Sequence, residues 1–175
     1  MNATSGPGTP GPLDECGDFD IRIARDGTWF HQGSPIRRLA LAKLFSTVLR
    51  REGDGSYWLV TPVERGRIIV EDAPFVAVEL DATGEGKDQV ISFRTNLDHS
   101  VTLGDDHPLR VETDPATGEP SPYVTVRPGL EARLARSVFY HLVALGADET
   151  IDGNPAFGVW STGRFFPLGD LTAPT

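Results

Sequence analysis

Residues 36–70 read IRRLALAKLFSTVLRREGDGSYWLVTPVERGRIIV, and a change of period inside this stretch decides the fold class. Over residues 36–51 the apolar side chains Leu41, Leu44, Phe45, Val48 and Leu49 recur at helical spacing. Arg37, Lys43, Ser46 and Arg50 avoid that stripe, so the segment predicts an amphipathic helix of about four turns. Ser34 is the candidate N-cap, Pro35 suits the first helical position, and Gly53-Asp54-Gly55 ends the helix. Beyond it, residues 57–60 and 67–70 carry the β-branched and aromatic runs of strands. Thr61-Pro62-Val63-Glu64 between them has capping-box spacing, with Thr61 accepting from the third N–H and Glu64 reaching back. The competing reading makes Glu64 a general base, and a histidine in the same pocket would favour it.

Upstream, Ile21 and Ile23 flank Arg22, and Asp26-Gly27 turns the chain into residues 28–31, a hairpin pattern. Downstream, strands are expected at 75–80, 89–94, 101–103, 109–111 and 123–127. A second helix follows at 130–145, and a hairpin at 157–160 and 164–166. Gly84-Glu85-Gly86-Lys87 is a hairpin turn and not a phosphate loop, because Asp88 stands where Ser or Thr is needed. Strands dominate and helices do not alternate with them, which argues for α+β with mainly antiparallel sheets. The expected boundaries are a flexible leader at 1–18, subdomains at 19–72 and 73–170, and a tail at 171–175.

A shift of 94 residues superimposes the two helical regions. It places Trp29 on Tyr123, Ile36 on Leu130, Leu44 on Val138 and Leu49 on Val143. After the helix, Asp54-Gly55 matches Asp152-Gly153, and residues 57–60 match 157–160. Each copy therefore reads as strand, helix, hairpin. A ligand crevice is expected between two such duplicated subdomains.

Sixteen Lys and Arg stand against 25 Asp and Glu, a net charge of −9. That balance weighs against a nucleic-acid partner or an anionic membrane surface, and leaves room for a small anionic ligand held by a few arginines. Cys16 is the sole cysteine, so an internal disulfide and multi-cysteine metal sites are excluded. No apolar run reaches the length of a membrane span, and cytoplasm is the default location. No nucleophile elbow or metal-ligand spacing supports an enzyme, and the sequence specifies no cofactor.

The strongest candidate site is the start of the second expected helix. Arg127-Pro128-Gly129 offers no side-chain cap, and Arg133 and Arg136 would share a polar strip one turn apart. Open N–H groups and three arginines suit a phosphate or carboxylate, unless the arginines pair with nearby acids or face water. Arg94-Thr95-Asn96 at a strand end is the second polar cluster, with a plain strand-end turn as its ordinary reading.

In order, Trp29-Phe30-His31-Gln32-Gly33-Ser34-Pro35-Ile36, Leu59-Val60-Thr61-Pro62-Val63-Glu64 and Val70-Glu71-Asp72-Ala73-Pro74-Phe75 resemble domain-of-unknown-function family 1285, an uncharacterised bacterial family. Phe93-Arg94-Thr95-Asn96, His107-Pro108-Leu109, Pro122-Tyr123-Val124-Thr125-Val126-Arg127 and Gly129-Leu130-Glu131-Ala132 continue the likeness. The resemblance implies two duplicated α+β subdomains, the second superficially like a pleckstrin-homology domain. It further implies a small, nucleotide-like ligand between them in a signalling role, with no catalytic residues to carry over. The alternative is a scaffold or homo-oligomer whose exposed aromatics, Trp58 or Trp160, contact another chain.

Overall fold

The computed structural model describes residues 17–170. Cys16, nearly all of the expected leader and the expected tail lie outside the described residues. The chain divides into two compact units between Glu71 and Asp72. It is mostly sheet with two helices.

The first unit contains β1 (Asp18–Ile23), β2 (Trp29–His31), β3 (Ser34–Pro35), α1 (Leu39–Thr47), β4 (Leu49–Arg51), β5 (Tyr57–Val60) and β6 (Arg65–Val70). These strands form one sheet in the order β3-β2-β1-β6-β5-β4. All neighbours are antiparallel except the central β1–β6 pair, which is parallel. Ile21, Ile23, Trp29, Leu49, Leu59 and Ile68 are buried, and Phe45 of α1 stacks on Trp29 with 6.2 Å between ring centroids.

The predicted first helix is shortened at both ends by strand pairing. Gln32 and Gly33 adopt left-handed φ values of 52° and 80°, a two-residue hairpin turn that pairs His31 with Ser34 and Phe30 with Pro35. Ser34 and Pro35 are therefore strand residues, and Arg38 occupies the N-cap. At the other end, the Val60 N–H donates to the Val48 carbonyl over 2.9 Å, and Leu49–Arg51 pairs with β5. Thr61 caps as expected, its Oγ1 accepting from the Glu64 N–H over 3.1 Å, yet it closes the β5–β6 hairpin instead of opening a helix. The Thr61 N–H donates to the Glu64 carbonyl, so the Glu64 side chain is not its partner.

The second unit contains β7 (Phe75–Thr83), β8 (Val90–Thr95), β9 (Ser100–Thr102), β10 (Leu109–Thr113), β11 (Pro120–Arg127) and β12 (Leu130–Leu134). After α2 (Arg136–Ala144) come β13 (Ala147–Ile151), β14 (Asn154–Ser161) and β15 (Arg164–Asp170). The first six strands form a sheet ordered β10-β11-β12-β7-β8-β9, and the last three a separate antiparallel sheet. Read from its other edge, the six-stranded sheet has the first unit's topology. Two three-stranded meanders join through a parallel pair of the first and sixth strands, here β7 and β12.

Residues 130–134 were expected to be helical and are a strand. Pro128-Gly129, with Gly129 at φ 77°, turns β11 back so that Arg127 pairs with Leu130. The order hairpin, helix, three-stranded meander does recur in β2 to β6 and in β11 to β15. The meander after α1 completes the six-stranded sheet, whereas the one after α2 stands as its own sheet, so the shift of 94 is a local likeness.

Candidate functional site

The sequence-selected arginines occupy three separate places in the second unit. Arg94, at the end of β8, donates from Nε to Glu79 over 2.6 Å and from Nη1 to Asp98 over 2.9 Å. Those two carboxylates, Glu79 first, hold the guanidinium above its ordinary pKa. Thr95 is fully buried, and its Oγ1 accepts from the N–H groups of Leu97 and His99. Asn96 Oδ1 accepts from the Val76 N–H over 3.0 Å while its own N–H donates to the Val76 carbonyl over 2.8 Å. Together the three residues shape the β8–β9 turn and tie it to β7.

Arg127 and Arg133 sit on β11 and β12, and Arg136 opens α2, so no helical strip unites them. Arg136 pairs with Glu119 at 3.3 Å. Arg133 lies 3.6 Å from Asp72 Oδ2, and the Tyr123 hydroxyl donates to Asp72 Oδ1 over 2.7 Å. Arg110 lies over the Tyr123 ring, 4.5 Å from its centroid, and bonds Glu131 and Glu112. Burial, reinforced by Asp72, pushes the Tyr123 phenol up to about 12. This polar row is locked by its own partners.

A cavity of a size suited to a ligand lies in the first unit. On β1, the five residues from Asp18 to Arg22 run opposite only three on β6, Arg67 to Ile69. The surplus backbone bulges at Asp20, which sits at φ 35° and whose carbonyl accepts from the Gln32 N–H over 3.0 Å. A cavity of about 610 Å³ opens there, lined by Asp18, Asp20, Ile21, Arg22, Phe30, Gly33, Arg67, Ile68 and Ile69. Its volume falls in the range of small-molecule sites.

The lining combines an apolar wall with fixed and uncommitted charge. Arg22 stacks over Phe30 at 4.3 Å and bonds Glu71 over 2.6 Å, so its guanidinium is held in place. Arg67 makes no ion pair among the described residues. Its field reaches Asp54, whose carboxyl is held below the usual range mainly by hydrogen bonds from Ser56 and secondarily by Arg67. Ser56 Oγ in turn accepts from Trp58 Nε1 over 2.8 Å, and Arg65 covers the Trp58 ring at 4.2 Å. Trp58, expected as an exposed contact aromatic, is only 7% exposed.

A second cavity, about 400 Å³, lies between α1 and the sheet, with Phe19, Ile21, Phe45, Val48 and Leu59 as apolar lining and Asp18, Asp20, His31, Thr61 and Glu64 as polar lining. His31 and Glu64 thus share one cavity without a hydrogen bond between their side chains among the described residues. A third, about 510 Å³, lies in the second unit against Val111, Thr113, Ile151, Pro155, Pro167 and Leu168. The described residues contain no group of three or more His, Cys, Asp or Glu placed to hold a metal, and no helix among them is long and apolar enough to cross a membrane.

Sequence reasoning missed Arg67, Phe30 and the two aspartates as neighbours. Their meeting depends on the parallel β1–β6 pairing and the bulge, and neither has a local sequence pattern.

The fold defines an α+β protein of two units, each built on the same six-stranded sheet plan. The family comparison gives it a place. Residues 11–73 match the DUF1285 N-terminal domain, a domain of unknown function, and residues 74–168 match the C-terminal domain of that family. The chain belongs to the DUF1285 family. A crystal structure of a DUF1285 family protein from Silicibacter pomeroyi DSS-3 is 48% identical, with a TM-score of 0.83, over 95% of this chain and 91% of that one. Another, from Shewanella baltica OS155, is 26% identical with a TM-score of 0.56, over 71% of this chain and 91% of that one. No curated protein matches the sequence.

Proposed function

We propose that this DUF1285 protein is a small-ligand-binding regulatory module whose site is the cavity beside the β1 bulge. The observation that carries the reading is Arg67, a guanidinium without an ion pair among the described residues, facing a cavity of about 610 Å³ with Phe30 and Ile69 on its wall. A ligand suited to it carries an anionic group for Arg67, a flat apolar part for Phe30 and Ile69, and a hydroxyl or amine that donates to Asp18 or Asp20. A nucleotide-like molecule meets all three requirements. The second unit, two meanders followed by a helix, would on this reading be the part comparable with a pleckstrin-homology domain and would serve regulation.

A thermal-shift screen with nucleotides and carboxylate metabolites tests the reading. A ligand of ~10 µM affinity at millimolar concentration stabilises the native state by about 2.7 kcal/mol, a readable shift. Arg67→Ala is expected to remove that shift while leaving the unliganded Tm in place. No shift with any anionic compound, or one that survives Arg67→Ala, would sink the proposal.

A second reading, acid–base catalysis, is favoured by the shared cavity of His31 and Glu64. It predicts a hydrolytic activity lost in both His31→Ala and Glu64→Gln.

A further inference from the structure

The chain-wide charge of −9 conceals an uneven distribution. Residues 72–170 carry seven cations against sixteen carboxylates, whereas residues 17–71 carry nine against seven. No Asp or Glu occurs between Asp26 and Glu52, an interval that holds Arg37, Arg38, Lys43, Arg50 and Arg51. The helix α1 lies in the middle of this interval.

Part of the apolar surface of α1 points away from the core, although Phe45 packs inward on Trp29. The buried residues of the helix are Ala42 and Ser46, while Leu39, Leu41 and Leu44 are exposed, Leu44 by 62%. At about 100° per residue, Ala40, Leu41, Leu44 and Thr47 form an uncharged sector of roughly 120° on the side away from Ala42 and Ser46. Lys43 borders one side of this sector and Arg38 the other. Arg37 precedes the helix, and Arg51 follows it on the same face of the sheet as buried Leu49.

We propose that the outward side of α1 docks on an anionic phospholipid bilayer. Leucines at the crest of a convex helix enter the acyl boundary, and long cationic side chains at the margins extend to the phosphates. Charge complementarity selects this occupant. A second copy of α1 laid on the first would set arginine-rich ends against each other, in parallel or antiparallel, with no carboxylate inside the interval to neutralise them. Fields between exposed charges fade within about 10 Å at ordinary salt, so the charges beside α1 count for more than the chain-wide balance.

Vesicle flotation of the full chain tests the proposal. At about 50 mM salt, recovery with equimolar phosphatidylglycerol and phosphatidylcholine is expected to exceed recovery with phosphatidylcholine alone roughly tenfold. Leu41→Glu/Leu44→Glu and Arg37→Gln/Arg38→Gln should each reduce it at least about fivefold, and about 500 mM salt should abolish it. These side chains lie at the surface, so an unchanged Tm identifies a folded variant, and Ile151→Glu in the second unit should float like the native chain. Equal recovery on both vesicle types, or recovery indifferent to the α1 variants, overturns the proposal. So does a dimer in sedimentation that Leu41→Glu/Leu44→Glu dissociates, which would assign the face to a second copy. Binding of an acidic peptide at this face without flotation would assign it to a protein partner.

Discussion

The Ser161 hydroxyl donates to the Leu103 carbonyl over 2.7 Å, and the same oxygen accepts from the Ile91 N–H over 3.0 Å. A fully buried side chain on β14 thereby bonds β8 and the residue just past β9 in the neighbouring six-stranded sheet. Thr162 adds a donor to the Leu103 carbonyl at 3.1 Å, and the Gln89 side chain donates to the Trp160 carbonyl at 3.0 Å. This joint fixes the third sheet in the second unit.

Ser161→Ala should therefore cost ~1–3 kcal/mol, since it strands the Ile91 N–H without an acceptor. Urea unfolding should show a lower midpoint with little change in slope.

Gly158→Ala should be at least as damaging. A methyl group at 158 would meet the Phe166 carbonyl and the Phe165 ring, and the backbone carbonyl cannot swing aside. Overpacking of this kind costs ~1–3 kcal/mol, and calorimetry should register a clear fall in Tm.

Gly129→Ala tests the turn that the helical reading overlooked. Any side chain at φ 77° is strained, so the substitution should cost about 1–2 kcal/mol. Calorimetry should register the lower Tm.

Thr95→Val and Arg94→Ala should separate turn architecture from surface charge. Loss of the buried Thr95 acceptor leaves the Leu97 and His99 amides short of a partner and should cost ~1–3 kcal/mol. Loss of the exposed Arg94 ion pairs should cost less than about 1 kcal/mol. Chemical denaturation of both variants gives the comparison.

Tyr123 supplies a pH dependence of known sign. Its phenol is raised from 10.0 to about 12, so folding favours the neutral form. The stabilisation is complete below pH 10 and is lost as pH climbs from there through about 12. Absorbance titration near 295 nm should show one late-ionising tyrosine that Tyr123→Phe removes. Above pH 10 the stability of Tyr123→Phe should fall less steeply than that of the native chain.

Much of the strand content was legible because turns announce themselves locally. Asp26-Gly27 and the turn at 84–88 sit where a strand reverses, whereas Asp152-Gly153, read only as the pair that follows the second helix, turns β13 into β14. Gln32-Gly33 and Pro128-Gly129 are turns of the same kind, but each precedes an apolar stripe that also fits a helix. Non-local pairing decided both cases: Ser34-Pro35 had β2 to bond, and Leu130–Leu134 had β7. The first helix misled in a further way, because its apolar residues Leu41 and Leu44 face outward and its core contacts come from Ala42, Phe45 and Ser46. Arg94, Thr95 and Asn96 were legible as a cluster because they are consecutive. The cavity beside Asp20 was not, because its walls come from β1, β2 and β6, which only the finished sheet brings together.

That each six-stranded sheet is closed at its middle by its earliest and latest strands bears on how the chain emerges from a ribosome. A nascent chain that stops short of Val70 leaves Ile23 with no neighbour on one side, and Phe75 waits likewise for Ala132. Each unit must be synthesised almost whole before its centre can zip, so translation speed through residues 50–70 and 110–134 sets how long an unprotected seam is offered to chaperones.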